Sequence, residues 1–429
     1  MPYTSIPEEI YWSGWSQKEP AEDQFSGPKT QVLIIGSGYS GLSAALHLAR
    51  NGVQVLLADQ ENGPGQGASG RNGGMVLSGY PLDCSTLIHK FGSEQASTLF
   101  NMSQRAVSGV EKLIQKGNID CDFMPQKHVT AAVRPGHWDW LRREQESMAR
   151  ISGTSPRLLD PGQVREELGT DAYWGGLADP WSASLNPVRF ARGLHQMALD
   201  SGVRFSWSTR VHGIRRESRS IQIQTSRGEI LADQVLLATN VCTPGLNNWL
   251  GRRVVPVESV MIATEEVPEE VIRTVLPWGN TVSDTKRVLH YFRKSPDGKR
   301  ILFGGRPPLL WGSLQDKGLA LHRDMLSVFP QLKAYKPAFV WSGQVGFTRD
   351  HLPHSGNKNG LWYSLGYCGH GIALATYLGR QMAKAVLGLN NPSGFDFPGN
   401  PFPRFPLYRK RAWFVPLTLA WFGLLDRFS

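Results

Sequence analysis

Cysteine is scarce in this sequence. Cys84, Cys121, Cys242 and Cys368 lie far apart and form no CxxC pair, which excludes a disulfide framework and a thiolate metal site; no metal is expected. Long hydrophobic runs are also missing, since no apolar stretch reaches the roughly 20 residues that span a bilayer. The N-terminal segment carries acidic and aromatic residues and lacks the basic and apolar regions of a secretory signal. A cytoplasmic protein with free thiols is the expectation. The net charge is +10, but Lys and Arg are scattered, with no basic stripe interleaved with aromatics. Nucleic-acid binding is therefore not expected. With 41% hydrophobic and 19% charged residues the chain reads as folded, and 429 residues suit two intimately joined domains.

What the sequence does hold is glycine at informative spacings. Residues 31–35 (QVLII) are a short apolar run of the kind that forms a buried parallel strand. Gly36-Ser37-Gly38-Tyr39-Ser40-Gly41 follows, then a helix-like stretch at 42–50, a stop at Asn51-Gly52 and a second apolar strand at 53–58. This βαβ unit carries G-x-G-x-x-G. Gly36 permits the tight turn, Gly38 lets backbone approach a pyrophosphate, Gly41 allows close helix–strand packing, and the anion sits on the helix N-terminus. Asp59 ends the second strand, with Gln60 beside it, where a carboxylate grips ribose hydroxyls. The pattern predicts a dinucleotide site.

Three further segments narrow the ligand. Residues 67–74 (GASGRNGG) are too glycine-dense to be casual in backbone entropy and suit a loop passing close to a bulky planar cofactor. Residues 233–240 (DQVLLATN) are an apolar strand ending in Ala238-Thr239. Residues 366–372 (GYCGHGI) again join strand to helix. A helix N-terminus there would set a positive dipole near the N1–C2=O edge of a reduced flavin, with His370 either assisting or serving as a structural histidine.

Along the chain, residues 1–28 read as an arm and 85–116 as a helix. Asn186 and Pro187 open another helix as cap and first residue. Strands are expected at 203–206, 221–224 and 230–237, and an antiparallel layer from 254 to 305. The final strand at 361–365 leads into a long helix through 387. We divide the chain into the arm, a discontinuous cofactor-binding domain (29–82, 155–250 and 345–395), a substrate domain with covering helices (83–154 and 251–344) and a tail (396–429).

These segments, in this order, resemble the D-amino acid oxidase-like superfamily of flavoproteins, and within it the gamma-glutamylputrescine oxidases. The resemblance rests on residues 67–74, Leu185-Asn186-Pro187, Leu289-His290-Tyr291-Phe292-Arg293, Trp341-Ser342-Gly343 and residues 366–371. It implies an α/β (α+β) fold: a Rossmann-type FAD-binding domain of glutathione-reductase/D-amino acid oxidase type with an antiparallel-sheet substrate domain. FAD would be held by Gly36, Gly38, Tyr39, Ser40, Gly41, Asp59 and Gln60 at its ADP half. Ala68, Ser69, Gly70, Arg71, Asn72, Gly73, Gly74, Ala238, Thr239 and Gly343 would line it further along. Val211 would meet adenine, and Gly369, His370, Gly371 and Ile372 would approach the pyrimidine edge of the ring. Covalent flavin in some relatives uses a cysteine just before the final strand. Residues 339–349 contain none, so noncovalent FAD is expected, with Cys368 a packing residue.

The chemistry implied is oxidation of a C–N bond: hydride from a neutral amine to flavin N5, hydrolysis of the imine, and hydrogen peroxide from O2 or transfer to a membrane quinone. No catalytic base is assigned. A flavin-binding subunit without turnover is a third reading. Tyr291 is the first pocket candidate, with His290 on the opposite strand face. Arg71 and Arg306 suit a substrate carboxylate, Trp341 and Tyr363 are aromatic candidates with Trp341 favoured as core, and Lys286 is a candidate cation near the flavin. In the tail, Tyr408-Arg409-Lys410-Arg411 precedes an apolar run at 412–425. It suits either packing, which is favoured, or peripheral membrane contact.

Overall fold

The apolar run after Thr30 forms a central strand. In the computed structural model, which describes residues 6–15, 29–218, 220–243, 245–307, 312–389, 402–406, 408–409 and 412–428, Lys29–Ile35 lies between Gly228–Leu237 and Val55–Ala58, parallel to both. Val55–Ala58 is buried throughout, as a strand covered on both faces must be. The sheet continues through Arg204–Ser206 on one side and through Ile221–Thr225 and Val211–Arg216 on the other. The long strand Gly228–Leu237 changes neighbours along its length. Its start pairs antiparallel with Ile221–Thr225, and its end runs parallel to Leu361–Leu365, Val235 opposite Leu361.

Two helices, Tyr39–Ala49 and Gly371–Val386, pack side by side in the same core. Their approach is close because Gly379 has no side chain: a Cβ there would lie 2.3 Å from the Ser40 carbonyl oxygen. Ser43 Oγ donates to the Thr376 carbonyl across the same contact at 2.7 Å. Each helix follows the C-terminal end of a strand of the first sheet, so both N-termini open on the same edge.

The second sheet has eight strands in the order Pro337–Phe347, Val255–Thr264, Ile301–Gly305, Tyr291–Lys294, Thr281–Asp284, His128–Ala131, Gly176–Asp179 and Arg157–Leu159. All neighbours are antiparallel except Thr281–Asp284 with His128–Ala131. Helix Leu314–Val328 packs within the core on one face, with Phe292, Phe303 and Val340. The other face turns toward the first domain.

Several sequence-based boundaries shift. Arg157–Leu159 and Gly176–Asp179 pair in the second sheet, although residues from 155 onward were grouped with the cofactor domain; tertiary pairing, not local pattern, decides sheet membership. The expected helix at 85–116 spans Cys84–Gly117 and is broken at Gly92, φ 79°. The described part of the arm is not loose. Tyr11 and Trp12 are buried with Met261, Leu302 and Trp341, and Val340 N donates to the Pro7 carbonyl. The tail contains the helix Phe414–Phe428. Among the described residues no helix is long and apolar enough to cross a membrane.

Candidate active site

A cavity of about 790 Å³ lies between the two sheets. At one end is the turn after Lys29–Ile35. Gly36 adopts φ +107°, and a Cβ there would come within 2.8 Å of the Ala238 carbonyl oxygen, so the strand can turn into the helix only with glycine. Gly38 is the N-cap and offers no side-chain cap; Ser69 Oγ instead accepts from Tyr39 N at 3.2 Å. The Tyr39 hydroxyl donates to the Ser69 carbonyl at 2.5 Å, fixing residues 68–71 over the helix N-terminus. Asp59 sits across the turn, its Oδ2 accepting from Ser37 N (2.6 Å) and Ser37 Oγ (2.7 Å), its Oδ1 from Glu61 N.

Most residues expected to hold the cofactor line this cavity: Gly36, Gly38, Tyr39, Ser40, Asp59, Gln60, Ala68, Ser69, Arg71, Asn72, Gly73, Val211, Ala238, Thr239, Gly343, Gly369, His370, Gly371 and Ile372. Gly41, Gly70 and Gly74 do not, and they act through packing. A Cβ at Gly41 would strike the Gly36 carbonyl, at Gly70 the Gly65 carbonyl and at Gly74 the Leu185 carbonyl. Glycine there permits backbone approach rather than ligand approach. Two indoles that the sequence reading did not connect with the loop hold it in place. Trp12 Nε1 donates to the Asn72 carbonyl (2.9 Å) and Trp341 Nε1 to that of Arg71 (3.0 Å).

At the centre, Tyr291 and Arg306 line the cavity together. The Tyr291 ring lies across Gly304, its register partner, where a Cβ would come 2.3 Å from the ring. Its hydroxyl bonds Ser259 Oγ at 2.9 Å, and burial raises its pKa. Among the described residues the Nε of Arg306 is buried without a partner, its guanidinium stands 5.0 Å over the Phe347 ring, and burial lowers its pKa. Arg71 differs. Its Nε donates to the Gln66 carbonyl and its Nη1 to that of Ser342, so it staples the loop. Of the two arginines proposed for a carboxylate, Arg306 is the one with unmet hydrogen-bonding capacity.

His370 is the N-cap of Gly371–Val386. Burial pushes its pKa down to about 4, so it assists near neutral pH only as a neutral imidazole; among the described residues its Nδ1 is buried without a partner. Cys368 is buried against Thr348 with its thiol pushed up to about 11 by burial, and it also borders the cavity.

Other expected neighbours lie elsewhere. Lys286 sits beside His290 (3.3 Å) and Asp284 (3.7 Å), outside the cavity lining. His290 is on the far strand face as the period of two requires, but it is buried between Asp284 and Asp324 rather than facing water. Tyr363 packs against Trp249 and Phe402 on the opposite face of the first sheet. Trp341 is core. Lys410 and Arg411 fall outside the described residues.

A further part of the cavity lining carries no mark in the sequence. Leu87, Phe100, Leu141 and Met148 form apolar walls, and Asp179, Glu144 and His128 supply polar groups. Asp179 accepts from Ser78 Oγ, Trp181 N and Ser182 Oγ, and burial still raises its pKa. Glu144 accepts from Cys84 N at 2.7 Å, and burial pushes it up to about 7. His128 bonds Thr281 and Ser283 and is pushed down to about 3, chiefly by burial, leaving it neutral. These residues come from four elements, Cys84–Gly117, His128–Ala131, Pro135–Ser152 and Gly176–Asp179, and no local pattern marks them.

Two helix N-termini, a glycine turn closed to any side chain and a buried arginine nitrogen unpartnered among the described residues, all at one cavity, make a receptor for an anionic dinucleotide with a planar ring. The chain belongs to the DAO family of FAD-dependent oxidoreductases, whose model matches residues 31–385. It is similar to a probable oxidoreductase OrdL of Haemophilus influenzae (33% identity over 83% of each chain). It is also similar to a gamma-glutamylputrescine oxidoreductase of Escherichia coli, 29% identical over 92% of this chain and of that protein. In fold it is similar to a glycine oxidase from Geobacillus kaustophilus, with TM-score 0.74 and 21% identity, covering 89% of this chain and all of that one. The protein is thus an FAD-dependent oxidoreductase acting on amine or amino-acid C–N bonds. FAD fits the residues present: the turn at Gly36–Gly38 and Ser69 would take its phosphates, Asp59 its ribose, and the 370–372 helix start with Gly73 and Gly343 its ring.

Proposed function

We propose that this enzyme is an oxidase of an extended amine that carries a carboxylate and a second amino group, of the gamma-glutamylated putrescine kind. The observation that carries this reading is the shape and charge of the cavity. Its lining brings Tyr291 and Arg306 together with the carboxyl groups of Asp179 and Glu144, a combination that suits a substrate with both a carboxylate and an amino group. The similarity to a gamma-glutamylputrescine oxidoreductase supports the same substrate class.

When bound, FAD supplies the two-electron acceptor; the remaining tasks fall to this chain. Tyr291 bounds the space beside the ring. Arg306 pairs with the substrate carboxylate, which restores partners to its buried guanidinium. Asp179 and Glu144 receive the cationic amine. Low hydration and the neutral His128 and His370 favour the uncharged form of the amine to be oxidised, because burial disfavours an isolated ammonium.

The test is anaerobic mixing of the purified flavoprotein with a gamma-glutamylated diamine, a plain diamine, glycine and D-amino acids, watching the flavin band bleach. Readmitted air with a peroxide assay reads the acceptor. Fast bleaching by the gamma-glutamylated diamine, with peroxide formed, is expected; bleaching by the small amino acids alone overturns the substrate reading. Arg306→Ala should raise KM for carboxylate-bearing substrates by roughly 10- to 100-fold, the worth of a charge-assisted hydrogen bond, and leave a plain diamine little changed. A second reading, a dehydrogenase delivering electrons to a lipid-dissolved quinone, is favoured by the exposed apolar face of the C-terminal helix; reduction by substrate with negligible peroxide would support it.

A further inference from the structure

Residues 412–425 (AWFVPLTLAWFGLL) contain no charged side chain, and they build most of the helix Phe414–Phe428. A helix apolar around its circumference belongs in a core or against lipid, yet none of residues 412–426 is buried. Trp413, Leu417, Trp421 and Leu424 are 59%, 57%, 57% and 44% exposed. Spaced four, four and three apart, they form one stripe along the helix.

The helix is nonetheless held in a definite pose. At its start Phe414 packs against Phe405 and Tyr408, ring centroids 6.0 and 6.1 Å away. At its end the Asp426 carboxylate accepts from Val288 N (2.9 Å) and Arg287 N (3.1 Å), and the Asp426 carbonyl accepts from Arg134. Asp426 is the only acid of the helix, and these contacts turn it inward, its side chain 10% exposed. What faces outward is mostly apolar, and the exposed charges near the helix start are basic, Arg404 and Arg409, while at the other end Arg287 is ion-paired with Asp426. The sequence adds Lys410 and Arg411 to the first group.

We propose that this helix docks the enzyme on an anionic lipid surface, lying in the plane of the interface. Trp413, Leu417, Trp421 and Leu424 enter the boundary between headgroups and acyl chains, and the arginines meet headgroup phosphates. Tryptophan prefers that boundary, and each basic residue near an anionic leaflet adds attraction. The charge pattern fits lipid better than a second copy of the chain. Pairing two such helices in parallel would bring their basic starts together. A helix of 15 residues is too short to span and suited to lying flat.

The test uses the full-length flavoprotein, sedimented with vesicles of phosphatidylcholine alone or mixed with phosphatidylglycerol, at low and high salt. Trp413→Glu/Trp421→Glu and Leu417→Glu are compared with wild type, with flavin content and activity toward a soluble acceptor as controls for folding. Wild type should partition onto the anionic vesicles, more weakly at high salt, and the glutamate variants should lose about tenfold or more of that partitioning at unchanged flavin content. Equal partitioning by the variants overturns the proposal. So does absence of vesicle binding, whether the wild type is monomeric or forms a dimer that the variants dissociate.

Discussion

At Gly36 a positive φ and the nearby Ala238 carbonyl leave no room for a side chain. Gly36→Ala should cost about 1–3 kcal/mol in strain and strip the protein of flavin, read as visible absorbance per mole of protein; a variant that keeps its full complement would show that the turn tolerates a side chain. Arginine illustrates the limit of reading residue types: Arg71 and Arg306 were equal candidates in sequence, and only their partners separate them. Glu144 gives a pH test. Burial lifts it from the ordinary glutamate value of 4.5 to about 7, so the folded chain holds this proton more tightly than the unfolded chain. The stability this contributes is fully present below pH 4.5 and is lost as pH rises through about 7. Glu144→Gln should flatten the fall in melting temperature over that window, and a profile parallel to wild type would contradict the assignment.

Among the elements, Tyr291–Lys294 connects the two halves of the site. Its alternation puts Tyr291 and Arg293 on one face and Phe292 on the other, and this much was legible once the strand was recognised. The role of Arg293 was not. Its guanidinium is buried, donating to the Gly74 carbonyl (2.9 Å) and the Leu185 carbonyl (3.3 Å), with Trp12 5.7 Å away. Burial pushes its pKa down to about 10, so it stays charged and ties the glycine loop to the second sheet. Arg293→Met leaves those carbonyls unpaired and should lower unfolding free energy by about 2–4 kcal/mol, measured by urea denaturation, with weaker flavin retention. No loss on either measure would mean the loop is held without Arg293, by Trp12, Trp341, Tyr39 and Arg71.

For the molecule as a whole, the cavity draws its lining from both sheets, so the cofactor should bind the folded chain only. Adding FAD at about 100 times its dissociation constant should therefore stabilise the protein by about 2.7 kcal/mol, visible as a rise in melting temperature of the stripped protein. Because residues 339–349 contain no cysteine, acid precipitation should release the flavin into the supernatant; yellow colour retained in the pellet would point to a covalent link and direct attention to Cys368, which borders the cavity.

The dinucleotide turn, Asp59, the Asn186-Pro187 helix start and the glycine loop were readable from the sequence because each is a local device. Turn, cap and close backbone approach depend on residues a few positions apart. The sequence also distinguished an apolar tail from a polar one, but not its pose. Tertiary structure alone decided the rest. It separated Arg306 from Arg71, placed Lys286 and Tyr363 outside the site, buried His290 between two carboxylates, and assigned Arg157–Leu159 and Gly176–Asp179 to the second sheet. It also gathered Asp179, Glu144 and His128 into one chamber and turned Asp426 inward beneath an exposed stripe of Trp and Leu. Each of those outcomes depends on partners brought together from separate elements or on which face of an element is covered, and neither leaves a trace in local spacing.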